Sequence, residues 1–457
     1  MKRAIVWCLF LSLASLVVAC GPGSPGLVMG SMRLVVGDCS GAVDDYNAAL
    51  RVDPQDALAY YHRGVAYNCQ GNQQHAITDF TQAIQLNPYF ALAYQARGNV
   101  YFNRGAFQQA VDDYTQAISI SPGDYESYTF RGLGYSTLGK ADLAKADYDE
   151  AIRLNQDYAY AHFLRGMWYS DQKMEAQSIA DLDRATDLGL DPDRRGDVQV
   201  TFTRMSDVHF NQGVQYALDN EYDRAIDEFN QAAQLDPQNP RIYRNRASAY
   251  NHKKDYAHAR EDADQAIALN PDYAGAYSDR GFARYFLGQP QEALADLDHA
   301  IALDLSEPNS YNDRGLVYLY MKEYPKAIEN LEHAAQLRPN EPIFFSNLGL
   351  AYHRAGNIEQ ALANYEHALE LDPNCAVAYN NRGDVFKDQG KYEQALADMN
   401  RAIILDPQQG VFLFNRGRVY ARLEDAAKAR ADLAKGLALG LDPDRAQQAK
   451  TLLDSLK

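Results

Sequence analysis

A spacing of 34 residues governs this chain. The stretch 376–409, AVAYNNRGDVFKDQGKYEQALADMNRAIILDPQQ, predicts two short amphipathic helices. The first runs from about Ala376 to Gln389 and the second ends near Leu405. Gly390 and Lys391 turn the chain between them. Asp406-Pro407 stops the second helix, because proline lacks an amide hydrogen and disfavours helix in the residue before it. So short a pair cannot bury its apolar face alone and must stack on copies of itself. The copies begin at Ala57, Ala91, Tyr125 and Ala159, and again at Ser206, Pro240, Ala274, Pro308, Pro342, Ala376 and Gly410. Within each run no residue is inserted or lost. A chain of 457 residues built this way needs no single compact core.

Certain positions hardly vary. The eighth is glycine, as at Gly64, Gly98, Gly349 and Gly383, with Ala247 the one departure. The twentieth is alanine except at Ser178, and the twenty-seventh is alanine except at Gly436. Small residues at fixed places let helices approach closely. The fourth and eleventh positions are mostly aromatic, as at Tyr60 and Tyr67 or Tyr379 and Phe386, and are expected to fill the gaps beside the small residues. This ordered set of aromatic, glycine, tyrosine, alanine, aromatic, alanine and proline resembles the tetratricopeptide repeat, from about Cys39 to the C-terminus. The resemblance implies an all-α fold, an α-solenoid. Antiparallel helix pairs would stack into a right-handed superhelix whose concave face is built mainly by the first helices. Arginine commonly replaces leucine at the seventh position, and Gln156, Leu190, Leu305 and Leu441 stand where proline is expected.

The N-terminus reads as an address. Lys2 and Arg3 precede an apolar run, Ala4 to Ala19, that is short for a spanning helix, so residues 1–19 are expected to be a signal peptide. Val17-Val18-Ala19-Cys20 resembles a bacterial lipobox, which implies lipidation of Cys20 and a bacterial cell-envelope, extracytoplasmic location. More than one acyl chain makes such an anchor stable. Residues 20–25 would be the tether. Residues 26–192 read as a first array of one degenerate and four regular units, and residues 206–443 as a second array of seven. Leu188 to Arg194 recurs unchanged as Leu439 to Arg445. Both copies close an array, so residues 444–457 read as a capping helix and 193–205 as a former cap turned junction helix. In stacked antiparallel pairs the helix start at Cys39 neighbours the helix end at Cys69. A Cys39–Cys69 disulfide is therefore an option in an oxidising compartment, against two buried free thiols.

Few residues look like chemistry. Arginine at the seventh position is matched by a carboxylate or amide at the twenty-third, as in Arg97 with Asp113 and Arg382 with Asp398. Where the seventh is Leu348, the twenty-third is neutral Asn364. This pairing points to a salt bridge between the helices of a unit rather than to an anion-binding ladder. His299, His333 and His367 recur one repeat apart, too far apart for one metal, so no metal site and no cofactor is expected. No catalytic fingerprint appears, and the expected class is not an enzyme. A net charge of −17 argues against nucleic acid as a partner.

The sixth position carries Asn211, Asn245, Asp279, Asp313, Asn347, Asn381 and Asn415 through the second array. Asparagine both donates and accepts, which suits the amides of an extended peptide. The row is similar to the asparagine ladder in the repeats of O-linked N-acetylglucosamine transferases. Arg244, Phe282, Tyr285, Arg354, Asp384 and Arg418 lie beside it as candidate groove residues. The first array offers a more apolar groove with Tyr61, Val65, Phe102, Leu133, Phe163 and Met167, which suits an amphipathic helix or another copy of the chain. No three consecutive units carry the carboxylate clamp of chaperone-binding repeats. The expected function is a membrane-tethered scaffold binding proteins or peptide segments in concave grooves. The alternative is a structural or homo-oligomeric assembly factor of the envelope, serving outer-membrane assembly, pili or cell-wall enzymes.

Overall fold

A computed structural model describes residues 25–456, and the expected signal peptide and Cys20 lie outside them. All 25 elements among the described residues are α-helices. They form two compact units, the first ending at Met205 and the second beginning at Ser206. Within each unit consecutive helices pair antiparallel across short turns, and pairs stack in sequence order, so the chain is an all-α solenoid. The first helix of each pair typically starts just after the repeat boundary. Asp56, for example, accepts from the backbone N–H groups of Leu58 and Ala59 and caps Ala57–Cys69. The turn inside each pair needs a left-handed residue at the fifteenth position. Gly71 and Gly390 supply it with φ of 77° and 72°. Lys254 occupies the same place at φ 63°, a conformation a side chain disfavours.

The close approach of paired helices rests on the eighth position. A Cβ on Gly64 would sit 2.7 Å from the Phe80 ring, one on Gly349 2.8 Å from Tyr365, and one on Gly383 3.1 Å from Met399. The partner is the twenty-fourth residue of the unit, a large and almost wholly buried side chain as at Phe80, Tyr114, Phe229 and Leu331, except where Ala247 replaces the glycine and the twenty-fourth residue is Ala263. The aromatics of the fourth and eleventh positions do something else than fill gaps beside glycine. They bracket the arginine of the seventh position: Arg63 lies 5.3 Å from the Tyr60 ring and 5.9 Å from Tyr67. Arg382 sits 5.6 Å from Tyr379 and 5.9 Å from Phe386. The positively charged plane and the ring faces attract one another.

That arginine holds three helices together. Arg97 makes a forked contact with Asp113, with bonds of 2.9 and 2.8 Å, and donates a third bond of 2.9 Å to Thr81 in the preceding unit. Arg63 does the same with Asp79 and Asn47, and Arg416 with Asp432 and Asn400. The third acceptor is the twenty-fifth residue of the unit before. Arg382 meets Asp398 at 2.8 Å. Burial pushes the Asp113 carboxyl above its usual range, against the opposing pull of the Arg97 bonds. The pair therefore gives little net stability while fixing the register of the helices, and removing one partner alone strands a charge. In the unit starting at Ser206 the arginine is absent, and His209 contacts Glu228 at 2.6 Å.

The stretch expected as a junction helix and the first helix of the next unit are one element, Pro192–Leu218, of 27 residues. At the other end Pro443–Ser455 covers the last pair with Ala449 buried against it. The degenerate N-terminal unit, whose first helix reads as weak from its glycines, is a full pair, Pro25–Val35 and Cys39–Val52. Gly26 and Gly30 make this possible. Cβ atoms there would lie 2.6 Å from the Asp45 carbonyl and 2.7 Å from the Tyr46 ring. Cys39 and Cys69 are joined across adjacent pairs, with Cα atoms 6.1 Å apart.

Two consequences are testable. Arg382→Leu alone should lower unfolding stability by about 3 kcal/mol, the scale for a stranded buried charge. Arg382→Leu with Asp398→Asn copies the Leu348 and Asn364 combination of the neighbouring unit and should recover most of that loss in denaturant titrations. Separately, reduction should add two hydrogens to the mass of the purified protein. Replacing Cys39 and Cys69 with serine should cost the first unit about 3–4 kcal/mol, from the loop that the bond closes.

Candidate functional site

The first helices of successive pairs pack on one another, as Pro240–His252 does on Ala274–Phe286 and that helix on Pro308–Tyr320, whereas no second helix packs comparably on the next second helix. The first helices thus sit on the inner side of each unit, and their exposed residues line its groove. Residues 35 apart meet there. The fifth residue of one unit faces the sixth residue of the next: Arg244 Nε is 2.9 Å from Asp279 Oδ2. Asn347 Nδ2 donates to Asn312 Oδ1 at 2.8 Å, and Asn415 Nδ2 donates to Asn380 Oδ1 at 3.0 Å.

The row of asparagines is therefore not uniformly open to a ligand. Asn347 and Asn415 are buried and hold neighbouring repeats together. Asn381 accepts from Asn380, and Asn245 donates to the Arg241 carbonyl of its own helix. Asn211 is exposed. Of the other candidate groove residues, Arg354 is exposed, while Asp384 is buried beside Lys387 and lies 3.6 Å from Arg418. Arg418 also stands 5.5 Å from the Phe414 ring. His353, Asp384 and Asp388 bring potential ligand atoms within 4.8 Å of one another. The Lys387 ammonium already bonds both carboxylates, so the group is a salt-bridge network with its own cation. In the first unit Tyr61, Val65 and Phe163 are buried in the core, while Phe102, Leu133 and Met167 stay half-buried.

The cross-repeat contact is made at alternate steps and is relaxed at those between, where the fifth position is serine at Ser278 before Asp313 and at Ser346 before Asn381. Between the second and third of the helices named above, the fifth position is Ser278, too short to reach Asp313 in the way that Arg244 reaches Asp279. A cavity of about 330 Å³ lies here, lined by Arg244, Asn251, Ser278, Asp279, Phe282 and Asp313, with Asp304, Glu307 and Asn309 at its edge. Four carboxylates, Asp279, Asp304, Glu307 and Asp313, line it. Asp313 accepts from Asn312 at 3.0 Å, and burial pushes its carboxyl up to about 7, with Asp279 and Glu307 adding to the rise. Burial also raises Asp279, opposed by Arg244. Asn251 is 7% exposed and donates to the Asp279 carbonyl at 3.0 Å, while its Oδ1 has no hydrogen-bond partner. Two basic side chains, Arg244 and His252, also line it, and Arg244 is held by Asp279.

Aromatic surface continues from this cavity. Phe282 lines it and lies 4.9 Å from Phe286, which is 48% exposed. Tyr285 packs 4.7 Å from Phe286 and 5.7 Å from Tyr320, itself 61% exposed. Of the predicted groove residues, the structure brings Arg244, Phe282 and Tyr285 together. It joins to them Asp279 and Asp313 of the sixth-position row, and it adds Ser278 and Asn251, which the sequence does not single out. The signal for them is the change from asparagine to aspartate at two consecutive sixth positions beside a serine.

Comparison with known proteins follows the same lines. Sequence profiles described as tetratricopeptide repeat match residues 57–90, 91–124, 125–158, 240–273, 306–374, 341–407 and 380–446. A profile described as TPR repeat matches 36–71 and 213–253. No curated protein matches the chain. Among solved structures, the APC/C Cut9–Hcn1 hetero-tetramer is similar at 15% identity over 98% of each chain, with a TM-score of 0.46. Yeast Tom70 is similar at 16% identity over 97% of this chain and 96% of its own, with a TM-score of 0.42. The first TPR domain of Spaghetti (RPAP3), bound to the HSP90 peptide SRMEEVD, is 33% identical over 26% of this chain and 95% of its own, with a TM-score of 0.26. With repeat profiles spread over well over half of its length and every described element in stacked helix pairs, the chain belongs to the tetratricopeptide repeat family.

Proposed function

We propose that this protein is a membrane-tethered scaffold of the bacterial cell envelope, held by lipidated Cys20. Its second unit binds an extended protein segment through a basic side chain of that segment. The observation that carries the binding reading is the cavity at Ser278, Asp279 and Asp313, walled by carboxylates and continuous with exposed aromatic rings. A guanidinium or ammonium entering it meets Asp313, and its aliphatic stem or a neighbouring apolar residue meets Phe282 and Phe286. The chain's net charge of −17 favours encounter with a cationic partner. The fold supports peptide capture in general: first helices of a repeat array offer a continuous groove, and grooves of this kind take helices or extended segments. The oligomeric alternative rests on Phe102, Leu133 and Met167, the members of the first unit's apolar row that stay half-buried.

The reading sets a direction for pH. Asp313 holds its proton up to about 7 in the free protein, and a bound cation favours the carboxylate. Affinity for a basic peptide therefore rises as pH rises through that value. One pH unit below it, binding should be about tenfold weaker than on the plateau, since only about a tenth of the molecules carry the charge unaided. Selection of peptides on the purified protein should enrich lysine or arginine next to an aromatic or aliphatic residue. Asp313→Asn should weaken the selected peptide by about 2–5 kcal/mol and flatten the pH dependence. Selected peptides without basic residues, or an affinity indifferent to both pH and Asp313→Asn, would overturn the assignment. The anchor is tested apart from this by the mass of the N-terminal peptide from a bacterial membrane fraction, which should carry acyl chains on Cys20.

A further inference from the structure

The helix Pro25–Val35 carries two apolar stripes. Leu27, Gly30 and Leu34 are buried against its own unit. Val28, Met29, Met32, Val35 and the following Val36 form a second stripe, spaced i, i+1, i+4, i+7 and i+8, and are exposed by 38 to 78%. That spacing is one face of a helix. Arg33 is the only charged residue from Pro25 to Val36, and it is turned to Asp38 and Asp45 at 2.9 Å each. A helix that is apolar on both faces is covered on both. The opposite end of the chain is finished in the usual way for a solenoid: Pro443–Ser455 exposes Asp444, Gln447, Gln448, Lys450 and Asp454. The N-terminal end lacks such a polar face.

The length of chain before this helix indicates what covers it. Cys20 to Pro25 is five residues, which spans at most about 17 Å when fully extended. A lipid on Cys20 would thus keep the stripe at the level of the headgroups. We propose that the face formed by Val28, Met29, Met32, Val35 and Val36 lies on the bilayer, in the plane of the interface. The protein would then have a second membrane contact besides its anchor, which fixes the orientation of the first unit. The proposal rests on the reading of Cys20 as the lipid attachment point. Helices of this kind bury their apolar face about 5–10 Å into the boundary between headgroups and acyl chains. Among the described residues no helix is long and apolar enough to cross a membrane, so the contact is one of lying on the surface. A strongly negative chain gains nothing from anionic lipid, which makes the contact an apolar one.

The test replaces the natural anchor, so that failure of the lipidation reading is seen separately. The chain from Gly21 onward keeps every described residue. It is given an N-terminal histidine tag and held on phosphatidylcholine vesicles containing a nickel-chelating lipid. An environment-sensitive nitrobenzoxadiazole probe is placed at Met32→Cys, in a Cys375→Ser background, and at Gln447→Cys as a control. On vesicles the probe at 32 should shift its emission to the blue and be quenched by lipid-borne nitroxide, while the probe at 447 stays aqueous. Met29→Glu with Val36→Glu should abolish the shift with helical circular dichroism unchanged. A probe at 32 that stays aqueous on the vesicle overturns the proposal. So does a probe already shielded without vesicles in a chain that sediments as a dimer, which would assign the face to a second copy. Acylation of Cys20, read by mass on the native protein, decides the anchor independently of either result.

Discussion

The distance between the two helices of a pair is the constraint on which the rest of this structure depends. It is set where the glycine of the eighth position meets the large side chain of the twenty-fourth. A single added carbon at Gly64 would lie 2.7 Å from the Phe80 ring, well inside contact distance, and the other eighth-position glycines are similarly close, while Ala247 has the small Ala263 as its counterpart. Once that distance is fixed, the alanines of the twentieth and twenty-seventh positions close the remaining space, as at Ala76 and Ala83 with no exposure. Tight packing of this kind is unforgiving of volume changes. It also brings the seventh residue near enough to the twenty-third for a forked ion pair. The arginine then reaches back to the unit before, so one close approach propagates into the stacking of the array.

The proposed binding site lies where this regularity is interrupted rather than where it is strongest. Along the inner side of the second unit, a side chain at the fifth position meets one at the sixth position of the next repeat. Arg244 with Asp279, Asn312 with Asn347 and Asn380 with Asn415 are such contacts. They consume polar groups that would otherwise be open to a ligand. At Ser278 the reaching side chain is missing and a carboxylate remains across the gap. Partial burial there, with Asp279 and Glu307 nearby, raises the Asp313 carboxyl. An array of identical units would have no such place. A site needs a unit that differs from its neighbours while keeping the residues that set the helix distance.

Much of the fold is legible in the sequence because its positions repeat. One copy leaves helix, turn and core ambiguous, but glycine at Gly64, Gly98, Gly132 and onward separates a packing requirement from chance. The salt bridge was visible by the same logic, since Leu348 lost its arginine together with the charge at Asn364. What stayed hidden is the contact between repeats. The acceptor for Arg97 is Thr81, and for Arg63 it is Asn47, in both cases one unit earlier. A polar twenty-fifth residue looks like any solvated helix face until its neighbour is in place. The asparagines were hidden for the same reason. Asn347 and Asn381 occupy equivalent positions, yet one holds a neighbouring repeat through Asn312 and the other accepts from Asn380 beside it. Which of the two happens depends on the residue one repeat earlier and one position back, a pairing 35 apart in a chain whose period is 34.

The same reasoning separates the two ends of the chain. An internal helix has neighbours on both sides, so its sequence is constrained on both faces. A terminal helix has one neighbour and is free to be polar on its outer face. Pro443–Ser455 uses that freedom, with Ala449 buried and its outer positions charged or amide. Pro25–Val35 does not, although the chain bears far more charge elsewhere. Exposed Met29 and Met32 also carry more side-chain freedom than packing on a rigid neighbour requires. Flexible, unbranched side chains adapt to surfaces without fixed shape. A repeat neighbour of fixed shape would be expected to meet small residues such as those inside every pair. A fluid apolar surface would meet a stripe of this composition.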